Sequence, residues 1–318
     1  MSMTPTDSLY GKIVTILGGS GFVGRHLAQE LLERGARVRV ASRNPEKAYM
    51  VKALGELGTV QYARCDVTKT ESLARVLAGS DAVVNLVGAF TGKLDAVQGE
   101  GVGAIAAAAK AAGAAAFVHV SAIGADATSR VAYARTKAEG EAAALAAFPT
   151  ATIVRPAVIF GPDDQFLMMF GKLMSSLPLV PLFAPEAKLQ PVFVDDVAAA
   201  IANAAGNPAS CGGKTFELAG PEVVTMRGLF VRIARAENRK ESFLELSDAM
   251  AGLIAALPGT PISKDQLALL KAGSVASGAA PGLADLGVSA RPMGLFLERW
   301  MTQFRKHGRF GAKHPSAA

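Results

Sequence analysis

The stretch KIVTILGGSGFVGRHL, residues 12–27, restricts the fold more than any other part of the chain. An apolar run rich in β-branched residues leads straight into glycines at 18, 21 and 24, and then into the amphipathic segment GRHLAQELLERG. Glycine suits that G-x-x-G-x-x-G spacing because the chain must turn tightly, come close to a pyrophosphate and pack helix on strand, while the helix N-terminus faces the phosphates. Its place between a strand and a helix makes it a dinucleotide-binding signature. Gly18, Gly19, Ser20, Gly21, Phe22, Val23 and Gly24 are therefore the first candidate cofactor residues.

The rhythm continues. KIVTIL, RVRVAS, TVQYAR, AVVNLV, AFVHVS and ATIVRP read as strands, each followed by a segment with helical spacing of its apolar residues. Near-continuous apolar strands between helices predict an α/β doubly wound parallel sheet of Rossmann type, covered on both faces, over residues 9–165. After Gly161 the pattern breaks: Pro162, Pro178, Pro181, Pro185 and Pro191 punctuate a Met-rich apolar segment with Met168, Met169 and Met174. A smaller, discontinuous C-terminal domain is expected over 166–318, with 190–220 returning to the first domain through PVFVDDVAAAIANAA and KTFELAG. Asp195 and Asp196 are read as caps of the helix in that return.

The end of the second strand, VRVASRNP, should reach the adenosine ribose. It offers Ser42 and Arg43, a hydroxyl and a guanidinium, where an NAD site usually places a carboxylate. That pair favours the 2′-phosphate, hence NADP(H) over NAD(H); the alternative is that Arg43 is only a solvated residue after a strand. In CDV, Asp66 with Val67 either accepts from the adenine amino group or caps a helix before Thr68. Leu86 and Val87 end the fourth strand beside the expected nucleotide.

YARTK places Tyr133 and Lys137 four residues apart, on one helix face. A phenol near pKa ~10 shuttles protons poorly at neutral pH, and a neighbouring lysine can lower that value or hold ribose hydroxyls. Ser121 is the hydroxyl that ends the fifth strand. Tyr133, Lys137 and Ser121 are the candidate catalytic residues, the first two also cofactor ligands.

Together Gly18, Gly21, Gly24, Asp66, Tyr133 and Lys137 resemble the motifs of the extended short-chain dehydrogenase/reductase superfamily. RPAVIFGP resembles the segment that borders the nicotinamide in that group, which adds Pro156 and Val158. Over nearly the whole chain, ILGGSGFVGRHL, FVHVSAIGAD, YARTKAEGE, IVRPAVIFGPDDQFL, QPVFVDDVA, GKTFELAGP and LADLGVSARPM are similar to the NADPH-binding accessory-subunit family of respiratory complex I and its bacterial relatives. The resemblance implies a bound NADPH that serves structure or assembly. Active members of the superfamily carry Ser or Thr where Ala122 stands, and many have threonine where Leu17 precedes the first glycine. The alternative is an active NADP-dependent reductase or epimerase on a small lipid-like or quinone-related substrate, with Tyr133 as acid/base.

Composition bounds the partners. Two cysteines and four histidines, none at ligand spacing, predict neither a disulfide framework nor a metal site. MSMTPTDSLYGK has no apolar core and no arginine, which predicts no secretory or transit segment there. A net charge of +6 allows an acidic partner or anionic surface, and the absence of a basic stripe with interleaved aromatics in the first 200 residues argues against nucleic acid. GLFLERWMTQFRKHGRFGAKH interleaves Leu295, Phe296, Trp300 and Phe304 with Arg299, Arg305, Lys306, Arg309 and Lys313. It suits either a membrane boundary or subunit groove, or a helix docked on the protein's own core. The expected location is the cytoplasm, peripheral on the cytoplasmic face of a bacterial inner membrane beside complex I subunits; oligomeric state stays open.

Overall fold

The computed structural model describes residues 7–257, Thr260 and 262–306. The chain divides into two compact units, the first running to Ala157 and then taking in Val194–Ala219 and Ala276–Ala290, the second made of the remainder. The boundary thus falls at Ala157, ahead of the expected 165. The return covers 194–219, and residues 276–290 join the first unit as well.

The first unit is built on β1 (Ile13–Leu17), β2 (Arg37–Ser42), β3 (Val60–Arg64), β4 (Ala82–Asn85), β5 (Ala116–Val120), β6 (Thr152–Pro156) and the strand Thr215–Leu218. All pair in parallel, in the spatial order Thr215–Leu218, β6, β5, β4, β1, β2, β3. The order reverses beside β1, between β2 and β4, and such a switch point opens a crevice at the carboxyl ends of the strands. β1 is an interior strand, between β4 and β2, and Val14, Ile16 and Leu17 are fully buried.

One face of the sheet is covered by the helices Thr70–Leu77, Gly101–Ala111 and Ala132–Ala147, which bury Leu73, Val76, Ile105, Ala109 and Ala144 against Leu17, Ala41, Val83, Phe117 and Ile153. The alanine-rich stretch 106–116 is explained by this packing, since small side chains let two helices approach a third layer closely. The helices Phe22–Glu33 and Val194–Gly206 lie together elsewhere in the unit, with His26 Nδ1 2.5 Å from Asp195 Oδ1. Asp195 and Asp196 occupy the first helical turn rather than a capping position, where their charge still complements the helix dipole. The outer strand Thr215–Leu218 is covered by the 276–290 return: Glu217 N–H donates to Pro281 O at 2.9 Å, and Ser277 N–H donates to Glu217 Oε2 at 2.6 Å.

The second unit has short strand pairs, Ile159–Phe160 with Val192–Phe193, Lys188–Leu189 with Val224–Thr225, and Val180–Leu182 with Phe243–Glu245. Its helices include Phe166–Ser176, Met226–Ala236 and Gly294–Met301. Met174 and Phe170 are buried and Phe170 lies 4.8 Å from Phe230, so the Met-rich segment contributes to a core. The C-terminal aromatics are used internally: Phe296 stacks on Phe193 at 4.1 Å and on Trp300 at 5.1 Å, and Phe304 packs against Gly171. Arg305 donates to Ala236 O and to Glu298. Of the two readings of this segment, the aromatic face follows the docked one, while Leu295 stays exposed; Arg309 and Lys313 lie outside the described residues. Among the described residues, no helix is long and apolar enough to cross a membrane.

Candidate functional site

β1 ends at Leu17 and the chain turns at Gly18, whose φ of +83° is a left-handed conformation that a side chain would strain. Gly18 N–H donates to Ala41 O at 2.8 Å and Gly21 N–H to Gly18 O at 3.0 Å, which closes the loop over the strand ends. Gly24 answers a different need. A Cβ there would lie 2.6 Å from Gly19 Cα and 2.7 Å from Gly18 O, both backbone atoms. The helix Phe22–Glu33 therefore sits directly on the loop. Its N-cap is Gly21, no side chain caps it, and its first turn has no acidic residue. Free N–H groups and an uncompensated positive dipole end at the switch point are what a pyrophosphate requires.

At the adenosine side, Ser20 Oγ donates to Ser42 Oγ at 3.0 Å, tying the loop to the end of β2. Arg43 follows and is exposed. Asp66 is committed to a local turn: Thr68 N–H and Thr68 Oγ1–H donate to its Oδ1 at 3.1 and 2.8 Å, and these bonds hold its carboxyl below the usual carboxylate range. Both bonds use Oδ1, and among the described residues none is made to Oδ2. The next helix starts at Thr70 with Lys69 as its N-cap, so Asp66 closes an Asx turn instead of capping a helix. Val67 beside it is half-buried.

The opposite end of the crevice holds a polar network among apolar strands. Leu86 and Val87 follow β4, and Leu86 N–H donates to Leu17 O at 2.9 Å. Val87 N–H donates to Asn85 Oδ1 at 3.1 Å, which fixes the amide so that Asn85 Nδ2 faces His119 Nδ1, also at 3.1 Å. Asn85 then donates, and His119 carries its proton on Nε2, which finds no partner. His119 is fully buried, and burial together with the Lys137 charge pushes its pKa down to about 3. Ser121 Oγ is a second buried polar atom without a partner. Two orphaned groups beside the strand ends fit a crevice built to receive a polar ligand.

Lys137 is buried and its Nζ donates to Val120 O at 3.0 Å. Burial pulls its pKa down to about 8, opposed by Glu141 one turn along. Glu141 is engaged by Arg155, whose Nε and Nη2 donate to its two oxygens at 2.8 and 2.5 Å. Tyr133 is half-buried; its ring stacks on Phe90 at 4.6 Å, and burial pushes its phenol up to about 12. The ammonium lies 5.9 Å from the phenol ring centroid and gives one of its three donors to a backbone carbonyl. Burial alone sets the shift of the phenol, with no lowering from the lysine. Ala122 adds no hydroxyl. Pro156 ends β6 in the same unit, whereas Val158 belongs to the second unit.

Residue patterns missed Asn85, Gln98 and His119. Gln98 is fully buried, accepts from Ala89 N–H at 2.9 Å and donates to Thr136 Oγ1 at 3.0 Å, bracing the loop after β4 against the Tyr133–Lys137 helix. The available signal was one polar residue in each of AVVN and AFVHV, strands otherwise apolar throughout. Among the described residues, no group of acidic, histidine or cysteine side chains could hold a metal.

Comparison with known proteins gives the family and the fold. A family model described as NAD(P)H-binding matches residues 18–165. NADH dehydrogenase [ubiquinone] 1 alpha subcomplex subunit 9 of Arabidopsis thaliana is 32% identical over 95% of this chain and 80% of its own length. The protein of the same name from Dictyostelium discoideum is 32% identical over 68% of this chain, which spans 61% of that relative. Among solved structures, the NADPH-dependent quinone oxidoreductase of Escherichia coli in complex with NADPH superposes with a TM-score of 0.74 at 20% identity, covering 91% of this chain and 99% of that one. At that identity the likeness establishes the fold alone.

Proposed function

Since the chain belongs to the NAD(P)H-binding family that contains the alpha subcomplex subunit 9 proteins of NADH dehydrogenase, we propose that it is an accessory or assembly protein of a respiratory NADH:quinone oxidoreductase and holds NADP(H) chiefly as a structural element. The observation that carries this reading is the state of the Tyr133–Lys137 pair. Lys137 donates to Val120 O, and the phenol is pushed away from neutrality, up to about 12. Such a pair suits ribose hydroxyls better than proton transfer. When bound, the nucleotide supplies hydride chemistry; Gly18–Gly24 would hold its pyrophosphate, Ser42, Arg43, Asp66 and Val67 its adenosine half, and Leu86, Val87, Tyr133, Lys137 and Pro156 the other ribose.

The choice of NADP(H) over NAD(H) rests on Ser42 and Arg43 standing where a carboxylate would bind a free 2′-hydroxyl. Attachment at the cytoplasmic face of the membrane follows from the proposed partner. The test is native electrophoresis of detergent-solubilised membranes from cells carrying a tagged chain. Comigration of the tag with NADH:quinone oxidoreductase activity, preserved in Tyr133→Phe, is expected. A tag found only as a free species, or a Tyr133→Phe protein that loses a measurable carbonyl-reductase activity, restores the enzyme reading.

A further inference from the structure

The sheet edge farthest from the Thr215–Leu218 strand carries a basic groove that shares only Asp66 with the residues assigned to the dinucleotide. Between β3 and the helix Thr70–Leu77 lie two adjoining cavities of about 260 and 280 Å³. The first is lined by Arg64, Asp66, Lys69, Glu71, Ser72 and Arg75. The second is lined by Arg39, Gln61, Ala63 and Val76 together with the same Arg64 and Arg75, so the two form one groove.

Arg39 forms its floor and is held rigidly. Its Nε donates to Gln61 Oε1 at 2.8 Å, and its Nη1 donates to Val76 O at 2.6 Å and Ala78 O at 2.9 Å, the carbonyls at the end of the helix Thr70–Leu77. These bonds satisfy a helix C-terminus and leave Nη2 free. The side chain is half-buried, and desolvation together with Arg37 lowers its pKa, with no carboxylate to offset either. Among the described residues, Arg39, Arg64 and Arg75 form no ion pair, although Arg34, Arg135, Arg155, Arg227, Arg232, Arg235, Arg239 and Arg305 all do. Of the two acids on the lining, Asp66 is engaged by Thr68 and only Glu71 is uncommitted. The groove therefore gathers three unpaired guanidinium groups and Lys69 against one free carboxylate.

We propose that this groove binds a phosphoryl group, carried by a small phosphorylated molecule or a phospholipid headgroup, at a site separate from the dinucleotide crevice. Guanidinium forks arriving from a strand, from its neighbour and from a helix present donors in several directions, which matches a tetrahedral dianion better than a flat carboxylate. The size of each cavity fits a headgroup or a small phosphate ester and is too small for a folded partner. The site stands whether or not the nucleotide is structural.

Titration calorimetry with inorganic pyrophosphate, on protein already saturated with NADPH so that the Gly18–Gly24 loop is filled, tests the assignment. The Arg64→Gln/Arg75→Gln double variant should bind pyrophosphate at least about tenfold more weakly, with NADPH affinity and Tm unchanged. Glu71→Gln should tighten pyrophosphate severalfold, a gain that misfolding does not mimic. A second arm uses phosphatidylcholine vesicles with and without phosphatidylglycerol. Sedimentation that depends on the two arginines and is reversed by pyrophosphate identifies a headgroup; arginine-independent sedimentation with pyrophosphate binding intact identifies a free phosphate ester. Three results overturn the proposal: no pyrophosphate binding to the folded, NADPH-saturated protein at about 10 mM, binding unchanged in the double variant, or pyrophosphate displaced equally by a glutamate-rich peptide.

Discussion

Lys137 should make the nucleotide-free protein less stable than it need be. Its amine is buried, and a pKa pulled from 10.5 to about 8 corresponds to about 3 kcal/mol spent in keeping it charged at pH 7. Replacing the amine also removes its hydrogen bond to Val120 O, a loss of about 2 kcal/mol for a bond from a charged donor. Lys137→Met keeps the length of the side chain and removes the charge, while Glu141 retains its pairing with Arg155. The expected outcome is a nucleotide-free protein about 1 kcal/mol more stable than wild type at pH 7, alongside weakened NADPH retention. The pH dependence fixes the cause. Between pH 8 and 10.5 the unfolded chain still holds the lysine proton that the folded protein has released, so wild-type stability rises with pH in that window. The variant lacks this contribution, and its advantage should shrink above pH 8 and reverse at pH ~9. Urea denaturation of both proteins at pH 7, 8, 9 and 10 measures the difference while titrations common to both cancel. A variant less stable than wild type at pH 7, or a difference that does not move with pH, refutes the reasoning.

Three further outcomes are expected. His119, with its pKa pushed down to about 3, resists the proton that the unfolded chain accepts below pH 6.5, so stability should fall by about 2 kcal/mol between pH 8 and pH 5, and His119→Gln should remove that component in the same denaturation series. Gly24→Ala puts a methyl 2.6 Å from Gly19 Cα and must displace the loop; a loss of about 1–3 kcal/mol and of NADPH binding is expected by denaturation and calorimetry. Arg43→Ala should weaken NADPH by about 1.5–3 kcal/mol and leave NADH unchanged, and equal losses for both would discard the 2′-phosphate assignment.

The parallel sheet was legible because its strands are buried on both faces and read as unbroken apolar runs, and the phosphate loop because glycine spacing there follows from backbone contact. Tyr133 and Lys137 share a helix face for the local reason of their spacing. What Lys137 bonds is not local: Val120 lies 17 residues earlier, on another element. The pairing of Asn85 with His119 spans 34 residues and depends on β4 and β5 being neighbours in the sheet. The helix Gly294–Met301 shows the limit of amphipathic patterns, which reveal that a face needs cover without saying that Phe193 supplies it. Residues 276–290 have no apolar run to announce their return, and what anchors them is a buried carboxylate, Glu217, bonded to Ser277 N–H.

The central claim is that this chain retains NADP(H) as a built-in component. Its most direct test is mass spectrometry of the small molecules released on denaturing protein purified through gel filtration without added nucleotide. About one equivalent of NADPH per chain is predicted, reduced to a small fraction in Lys137→Met. Protein that is fully folded yet carries no nucleotide, or carries NAD(H) in its place, contradicts the account.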